Sequence, residues 1–334
     1  SNTALGREAL QANTTASNNT AVGYQAGYSN TGSPLTAIGY QAAKALNNAG
    51  ADYGSSTFVG HQAGTATTTG VDNTFIGAYS AYFNTTGTKN STLGSGSLQN
   101  NTGDRNTAVG YLALTQNTTG NWNTAVGSTA LQYNTTGAGN IAIGAYSLQN
   151  NTIGYGNVTI GGMGNNSAGY DNISMGGTSL YNNTTGYRNV AIGTYSMPTN
   201  TFGYKNIAFG HQSLYSNTTG HDNISCGIDS LYYNTIGYNN IAIGTQVLNR
   251  NSAGNSNIAI GHYALYSNTT GLENIAIGGS ADGYGSPLGG NTIGNRNIAL
   301  GSSSVSMTSG SFNVSIGYQA LYENTTGSYN IAIG

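Results

Sequence analysis

Apolar and polar positions alternate in a five-residue pattern that recurs along the whole chain, as in residues 140–144, Asn-Ile-Ala-Ile-Gly. With conservative replacements allowed, the pattern occurs twenty times between Asn2 and Gly334. Thirteen of the nineteen intervals are seventeen residues, and the others run from fifteen to twenty-three. Self-similarity at this period is typical of repeat proteins, in which each repeat is one small unit that stacks on its neighbours.

Each repeat is numbered here from the first residue of its pentapeptide, so that Asn140 is position 0 and Gly144 is position +4. Position +3 is apolar and position +4 is glycine in all twenty copies. Position +1 is Thr or Ser in the first eight copies and Ile or Val from Ile141 onward. Side chains alternate along a strand, and we therefore expect +1 and +3 to fill the core, with the mostly small +2 residue facing outward.

A second conserved block follows the glycine, with Ala or Ser usual at +7 and Leu usual at +8, as in Leu148. The sequence Asn-Thr-Thr-Gly then begins at +11, as in residues 117–120. Asn and Gly tolerate left-handed backbone, and Asn can bond its own main chain, so this segment predicts a turn. Each repeat is therefore predicted to be a strand, a bend, a short strand and a turn.

The predicted fold is an all-β parallel β-solenoid (a β-roll) with about 17 residues per coil and about 20 coils. Identical residues would then lie above one another, and Asn at 0 and +11 would form amide ladders. Helix is disfavoured because no 3.6-residue apolar period is present. We expect a single continuous array over 1–334, a fragment of a longer fibre, with loop insertions near 45–52 and 280–290 and with three chains side by side as one arrangement.

Composition excludes several classes of partner. Only 18 of the 334 residues are charged and the net charge is −2, so nucleic acid is not an expected partner. The single cysteine, Cys226, occupies the apolar +3 position and is interpreted as a small hydrophobe. No apolar run is long enough to cross a bilayer, so membrane insertion of this segment is not expected.

Candidate chemistry is sparse. Three histidines follow the +4 glycine and His221 follows the turn glycine, where tyrosines stand in other repeats. No triad-like or metal-ligating group accompanies them. Nine of the eighteen charges occupy position −1, where Asp171 and Arg188 would be neighbours in the stack, as would Lys205 and Asp222. We therefore predict no enzyme activity, no catalytic or metal site and no cofactor.

Three surface features are candidates for function. Tyrosines that follow Leu suggest aromatic rows suited to contact with glycans or proteins: Tyr181, Tyr215, Tyr232, Tyr266 and Tyr322. Asn-x-Thr sequons in the turns, where they are expected to be exposed, are candidate glycosylation sites: Asn13, Asn84, Asn117, Asn134, Asn183, Asn217, Asn268 and Asn324. The small +2 column would permit close approach of another chain, and predicts a lateral interface.

The pattern resembles the head repeats of YadA-type trimeric autotransporter adhesins, on residues 140–147, 257–264 and 313–320. The longer form, with Gly-Tyr-Gln-Ala-Leu-Tyr and Asn-Thr-Thr-Gly, also resembles repeats of bacterial and phage tail-fibre proteins. The resemblance implies a left-handed β-roll, three chains side by side, an extracellular location on a cell surface or virion, and adhesion to matrix or receptors. The seventeen-residue coil is longer than that of the adhesin repeats.

Three hypotheses for function follow. The first is a structural and adhesive segment of an extracellular fibre that self-associates laterally or end to end and contacts surface glycans or host receptors. The second is a self-assembling extracellular filament or surface coat that carries glycans on the sequons. The third is an ice-binding solenoid, suggested by the Thr column from Thr3 to Thr124. That column shares its face with the +3 core residues, so its Thr side chains are expected to point inward, which argues against ice binding, whereas an outward, flat Thr array would favour it.

Overall fold

The structure is a computed structural model that describes residues 1–32, 34–47, 54–279, 285–302, 304 and 309–334. The chain divides into two compact units, Ser1–Ala168 (unit 1) and Gly169–Gly334 (unit 2). Within the described residues every regular element is a β-strand, and there is no helix. The predicted all-β parallel β-solenoid with about 17 residues per coil is confirmed. The predicted single array over 1–334 and the three-chain arrangement stay predictions.

Twenty short strands form the described secondary structure, one per repeat, and coil n is named here after the strand βn that begins it. Unit 1 contains β1 Thr3–Leu5, β2 Thr20–Val22, β3 Leu35–Ile38, β4 Ser56–Val59, β5 Thr74–Ile76, β6 Ser91–Leu93, β7 Thr107–Val109, β8 Thr124–Val126, β9 Ile141–Ile143 and β10 Val158–Ile160. Unit 2 contains β11 Ile173–Met175, β12 Val190–Ile192, β13 Ile207–Phe209, β14 Ile224–Cys226, β15 Ile241–Ile243, β16 Ile258–Ile260, β17 Ile275–Ile277, β18 Ile298–Leu300, β19 Val314–Ile316 and β20 Ile331–Ile333.

Within each unit, consecutive strands pair in parallel and in strict repeat register. Ala125 of β8 lies opposite Ala142 of β9, and Ala242 of β15 lies opposite Ala259 of β16. Equivalent residues of successive coils are therefore stacked at the strand-to-strand spacing of about 4.8 Å. This stacking converts each repeat position into a column of like side chains, and the columns carry both the stability and the surface chemistry of the unit.

The core lies on the opposite side of the strand from the one predicted. Ala142 at +2 is fully buried, whereas Ile141 at +1 and Ile143 at +3 are 38% and 40% exposed. The +2 residue is buried in every strand from β2 to β19, and the expectation that +1 and +3 fill the coil while +2 faces a neighbour is wrong. The interior is narrow: Ala at +2 meets Ala or Ser at +7 and Leu at +8, as in Ala130 and Leu131.

The residues at +2 and +8 share one space inside the coil, so the +2 side chain must be small where +8 is Leu. Phe58 and Phe75 are the two large +2 residues, both fully buried and stacked with ring centroids 4.8 Å apart. In these two coils the +8 position, elsewhere usually Leu, is Gly64 or Ala81. A Cβ added to Gly64 would stand 2.9 Å from a ring carbon of Phe75. Interiors are packed to near-crystalline density, and one large residue at +2 therefore excludes a second at +8.

Two amide columns complete the interior, as predicted for positions 0 and +11. The Nδ2 group of Asn140 donates to Asn123 Oδ1 of the preceding coil (3.1 Å) and to the Gly154 carbonyl of its own turn (2.9 Å). At +11, Asn134 Nδ2 donates to Asn117 Oδ1 (2.7 Å) and to the Gly137 carbonyl (2.9 Å). Buried polar groups are tolerated only when hydrogen-bonded, and these columns meet that requirement coil by coil.

The tight coil depends on left-handed backbone at positions that the sequence did not indicate. Tyr146 at +6, Leu148 at +8 and Arg105 at −1 have φ of 60°, 51° and 57°, and residues at these positions are left-handed in most coils. The turn residues Asn117 at +11 and Gly120 at +14 are not among the left-handed residues, so the left-handed tolerance of Asn and Gly is not what shapes this segment. The predicted bond from this Asn to its own main chain is confirmed by Asn117 Nδ2, which donates to the Gly120 carbonyl (2.8 Å).

The invariant +4 glycine has a backbone reason. Gly127 has a φ of 139°, and a Cβ added there would collide with the carbonyl oxygen of Gly144 in the next coil. Side chains rarely adopt that conformation, and the stacked neighbour leaves no room.

The two predicted insertions are only partly visible. Residues 48–52 of the first and 280–284 of the second lie outside the described residues. The second insertion returns to the stack at Pro287, whose carbonyl accepts a hydrogen bond from the Leu265 N–H (3.0 Å). Leu288 then occupies the +8 core position and is fully buried.

Candidate functional site

The +1 and +3 side chains form a flat outward face on each unit, which is called the flat face here. In unit 2 both of its columns are aliphatic, aromatic or sulfur-containing. The +1 column consists of Ile173, Val190, Ile207, Ile224, Ile241, Ile258, Ile275, Ile298, Val314 and Ile331. The +3 column consists of Met175, Ile192, Phe209, Cys226, Ile243, Ile260, Ile277, Leu300, Ile316 and Ile333. No charged residue occupies +1 or +3 in any coil.

The same face of unit 1 is chemically mixed. Its +3 column is apolar from Leu5 to Ile160, but its +1 column is Thr or Ser in eight coils. In-register pairing, for example Thr57 with Thr74 and Thr107 with Thr124, stacks these hydroxyl residues directly above one another. The Thr column therefore shares the outward face with +3, which removes the argument that it would point inward.

The five tyrosines predicted as a contact row are only partly brought together. Tyr215 and Tyr232 stack with ring centroids 4.8 Å apart and planes within 1°. Tyr266 contacts Tyr263 (5.4 Å) and lies under the Arg250 guanidinium, whose Cζ is 5.1 Å from its ring centroid. Tyr181 and Tyr322 are exposed, and neither has a ring partner in the part of the chain that the structure describes.

A second aromatic column lies at position −2 in unit 2 and is continuous over five successive coils. Tyr170, Tyr187, Tyr204, His221 and Tyr238 are stacked face to face, with successive centroids 4.6 to 4.9 Å apart and planes within 9° of parallel. Each of these residues directly follows the turn glycine or its equivalent, and that recurrence in the sequence was the available signal. His221 serves here as a replacement ring in a stack, and its Nδ1 lies 2.9 Å from the Asp222 carboxylate.

A groove interrupts the surface of coils 13 to 16 in unit 2, with a cavity volume of about 600 Å³. It is called the tyrosine groove here and is lined by Gln212, Asp229, Tyr232, Tyr233, Gln246, Asn249, Arg250 and Tyr266. Burial raises the pKa of the Tyr232 phenol, and the neighbouring Tyr215, Tyr233 and Asp229 raise it further. The groove therefore combines aromatic faces, amides, one carboxylate and one guanidinium.

The predicted exposure of the sequon asparagines is wrong for six of the eight. Asn84, Asn117, Asn134, Asn183, Asn217 and Asn268 are fully buried. Asn217 shows why: its Nδ2 donates both to Asn200 Oδ1 (2.7 Å) and to the Gly220 carbonyl (3.0 Å). A glycan on that nitrogen would displace one of the two bonds and has no space inside the coil. Asn13 and Asn324 are half-buried and donate in the same way to Ala16 and Gly327.

The charged residues at position −1 form a few ion pairs on the surface. Of the two charge pairs expected at −1, Arg188 and Asp171 do meet, at 3.7 Å, while the Asp222 carboxylate contacts His221 rather than Lys205. Arg296 and Glu273 form a closer pair (2.8 Å), and the hydrogen bond from Arg296 lowers the pKa of Glu273.

Cys226 lies half-exposed on the flat face rather than in the core, and burial raises the pKa of its thiol. Among the described residues no three His, Cys, Asp or Glu side chains converge as a metal site would require.

The comparisons with known proteins add no family. No protein-family model matches the chain, and no curated protein matches it significantly. No helix in the described part of the chain is long and apolar enough to span a bilayer. Inferences about function therefore depend on the surfaces of the two units.

Proposed function

We propose that this chain is a structural and adhesive segment of an extracellular fibre, in which copies of the chain associate laterally through the flat face of unit 2. The observation that carries the proposal is the pair of outward aliphatic columns. Soluble monomers seldom expose a contiguous apolar patch larger than a few hundred Å². Ten coils at about 4.8 Å each carry two such side chains, so the apolar strip is about 48 Å long and two side chains wide.

A second copy of the chain is the occupant that fits this strip best. The face lacks charge and repeats at the coil spacing, so an identical face is complementary to it in composition and in period. The ion pairs at −1, such as Arg188 with Asp171, lie on the coil edge next to position 0. Burial of the strip between copies removes apolar surface from water, which is the dominant favourable term in association.

The test is the oligomeric state of the intact chain in solution. Sedimentation velocity across a hundredfold range of concentration should show a defined oligomer that contains two or more chains. Ile243→Lys combined with Ile260→Lys should convert it to a monomer with unchanged circular dichroism, because both side chains point outward. A wild-type chain that sediments as a monomer throughout this range would refute lateral association.

The outward Thr column of unit 1 favours a second candidate, binding to an ice surface. A flat, regularly spaced hydroxyl array flanked by an apolar column presents a repeating lattice to ordered water, and seven in-register pairings from β1 to β8 align it. Thermal hysteresis in solution, abolished by Thr74→Lys with Thr107→Lys, is the expected result. A chain without measurable thermal hysteresis at millimolar concentration would eliminate this candidate.

A further inference from the structure

Position −1 of unit 1 carries the single tryptophan of the chain, Trp122 in coil 8. Trp122 is 60% exposed, and its backbone is left-handed with a φ of 62°. The Arg105 guanidinium of the preceding coil covers one face of the ring, with its Cζ 4.4 Å from the ring centroid. The opposite face of the ring therefore points towards coil 9.

The next two coils have no side chain at this position. Gly139 and Gly156 occupy −1 in coils 9 and 10, and they are the only glycines at −1 in the twenty repeats. A Cβ added to Gly139 would have one neighbour within 4 Å, the backbone N of Gly156 at 3.9 Å. Because one face of Trp122 is covered, its high exposure requires the other face to be open to solvent. This open face and the step formed by the two glycines are called the tryptophan platform here.

Coils 18 to 20 of unit 2 show the same arrangement with the empty position filled. The Arg296 Cζ lies 5.4 Å from the Phe312 ring centroid. The Tyr329 ring of the next coil stacks on Phe312, with centroids 4.9 Å apart and planes within 2° of parallel. Tyr329 has a φ of 61°, and Gly139 has a φ of 66° at the same repeat position. A flat ring therefore fits beside Trp122 at the coil spacing, where Gly139 supplies none.

The residues that border the open face carry no charge. Position −2 is Ala138 in coil 9 and Tyr155 in coil 10. The outward position +1 is Ile141 and Val158 in the same two coils. A charged ligand would find no counter-ion among these four residues, and a cation would also compete with Arg105 for one π system. The platform therefore suits a neutral ligand.

We propose that the tryptophan platform binds a neutral saccharide, one pyranose ring of which packs its C–H face on the open face of Trp122. Tryptophan offers a large, rigid apolar surface. A pyranose has an apolar C–H face and a rim of hydroxyls that donate and accept, so the rim stays hydrated while the face is buried. The glycine step leaves room for the next sugars to run along the coils.

This inference deepens the adhesive part of the proposed function and rests on it, but it does not depend on association through the flat face. An aromatic side chain of a protein partner fits the platform less well. It would stack one face on Trp122 and leave the other in water, because the two glycine coils provide no side chain at −1 to cover it. Apolar surface stabilises a contact only where it is removed from water.

The experiment follows the fluorescence of Trp122, the only indole of the intact chain, during titration with cellohexaose, maltohexaose and mannohexaose. At least one of these neutral probes should change the emission and saturate with concentration. Gly139→Tyr, which places a ring on the open face, should weaken binding about tenfold or more. Ser256→Tyr adds the same side chain at the same repeat position of unit 2, where the backbone is also left-handed (φ 59°), and should leave the affinity unchanged.

A second variant removes the platform itself. Trp122→Ala should abolish binding in titration calorimetry, which needs no fluorophore. Circular dichroism should be unchanged, because the Trp122 side chain is exposed. Gly139→Tyr should also keep its fold, because Tyr329 adopts the same backbone conformation at this repeat position.

Three results would overturn the inference. The first is no saturable binding of any neutral hexasaccharide at millimolar concentration. The second is a response only to tetramethylammonium or to N-acetyltyrosine amide, the cationic and aromatic probes. The third is unchanged affinity in Trp122→Ala or in a folded Gly139→Tyr chain. Sedimentation of the same samples keeps the two proposals apart: an oligomer that binds no saccharide refutes the platform only, and a monomer that binds one refutes lateral association only.

Discussion

Units 1 and 2 have interiors of the same composition and differ in what they present to solvent. Both bury a small residue (Ala, Ser or Thr) at +2, apart from Phe58 and Phe75 of unit 1, with Leu usual at +8 and Asn usual at 0 and +11. At +1, unit 1 presents a column that is Thr or Ser in eight coils, whereas unit 2 presents Ile or Val throughout. The long face-to-face ring stack and the tyrosine groove lie in unit 2. Residues at outward positions can therefore change without altering the coil geometry. The functional differences between the units are expected at those outward positions.

The largest predicted effect separates inward from outward positions in one strand. Ala242→Lys places a charged side chain in a fully buried position of unit 2, and burial of an unpaired charge should abolish cooperative folding of that unit. Ile241→Lys, one residue earlier, should keep the fold because its side chain points outward. Thermal melts followed by circular dichroism check both variants. The same comparison can be made in unit 1 with two separate variants, Ala125→Lys at the buried position and Thr124→Lys at the outward one.

The opposite orientation would give the opposite result. If Ile241→Lys unfolded the unit and Ala242→Lys did not, the core would lie on the +1 and +3 side, as the sequence pattern alone had predicted.

The next effect tests whether the aliphatic +1 column is what makes unit 2 associate. A four-Thr variant of unit 2, in which Thr replaces Ile207, Ile224, Ile241 and Ile258, has the hydroxyl-bearing +1 column of unit 1 and keeps its own interior. Each change removes roughly 1 kcal/mol of apolar burial, and four weaken association by on the order of 4 kcal/mol, nearly a thousandfold in Kd. Analytical ultracentrifugation should show dissociation at concentrations where the wild-type chain is assembled.

The converse exchange is the control. A variant with Thr57, Thr74, Thr107 and Thr124 changed to Ile should give unit 1 an aliphatic face of its own and raise the apparent mass at equal concentration. If neither exchange altered assembly, the difference between the two faces would have no role in self-association.

A smaller effect concerns the amide columns, in which unit 1 contains a natural exception. Coil 3 has Leu35 at 0 and Leu46 at +11, both buried. In unit 2, Asn240 and Asn251 both donate to the Gly254 carbonyl (2.9 and 3.0 Å). Asn240→Leu and Asn251→Leu should each cost about 2–3 kcal/mol of unfolding free energy by leaving buried partners unpaired. Urea denaturation measures each cost.

The double variant should cost less than the sum of the two single costs. Each single variant leaves one Leu opposite an Asn inside the coil, whereas in the double variant the two Leu side chains can pack on each other as those of coil 3 do. Strict additivity would show that positions 0 and +11 do not act as a unit.

Repeat length, strand position, parallel stacking and both amide columns could be predicted because all depend on residues that recur at fixed spacing. The side of the strand that is buried could not be predicted from alternation alone, because Ile at +1 and +3 suggests a core more strongly than Ala at +2. The decisive signal was present but subtle. Phe58 and Phe75 at +2 coincide with Gly64 and Ala81 at +8, which shows that +2 and +8 share one space.

The left-handed residues and the groove were beyond the pattern for different reasons. Tyr, Leu and Arg carry no local preference for positive φ, and the coil imposes it on them through stacking with their neighbours. The groove depends on a departure from the repeat, Asn249 in a tyrosine column. Its chemistry emerges only when Asp229 and Arg250, of adjacent coils, are brought alongside it.

The smallest predicted effect changes a rate and leaves stability untouched. Cys226 is the single thiol of the chain and stands on the flat face of unit 2. Because burial raises its pKa, a maleimide should modify it slowly even in a single chain, so the four-Thr variant of unit 2 is the proper reference. In the wild-type assembly the modification should be at least about tenfold slower than in that variant. The control is a Val109→Cys, Cys226→Ser chain, which carries its single thiol at the same repeat position in unit 1. Its modification rate should be the same with and without the four Thr substitutions in unit 2.

If Cys226 were modified at the same rate in the wild-type chain and in the four-Thr variant, the aliphatic face of unit 2 would be open to solvent. The contrast between the two units would then have to be explained by a partner other than a second copy.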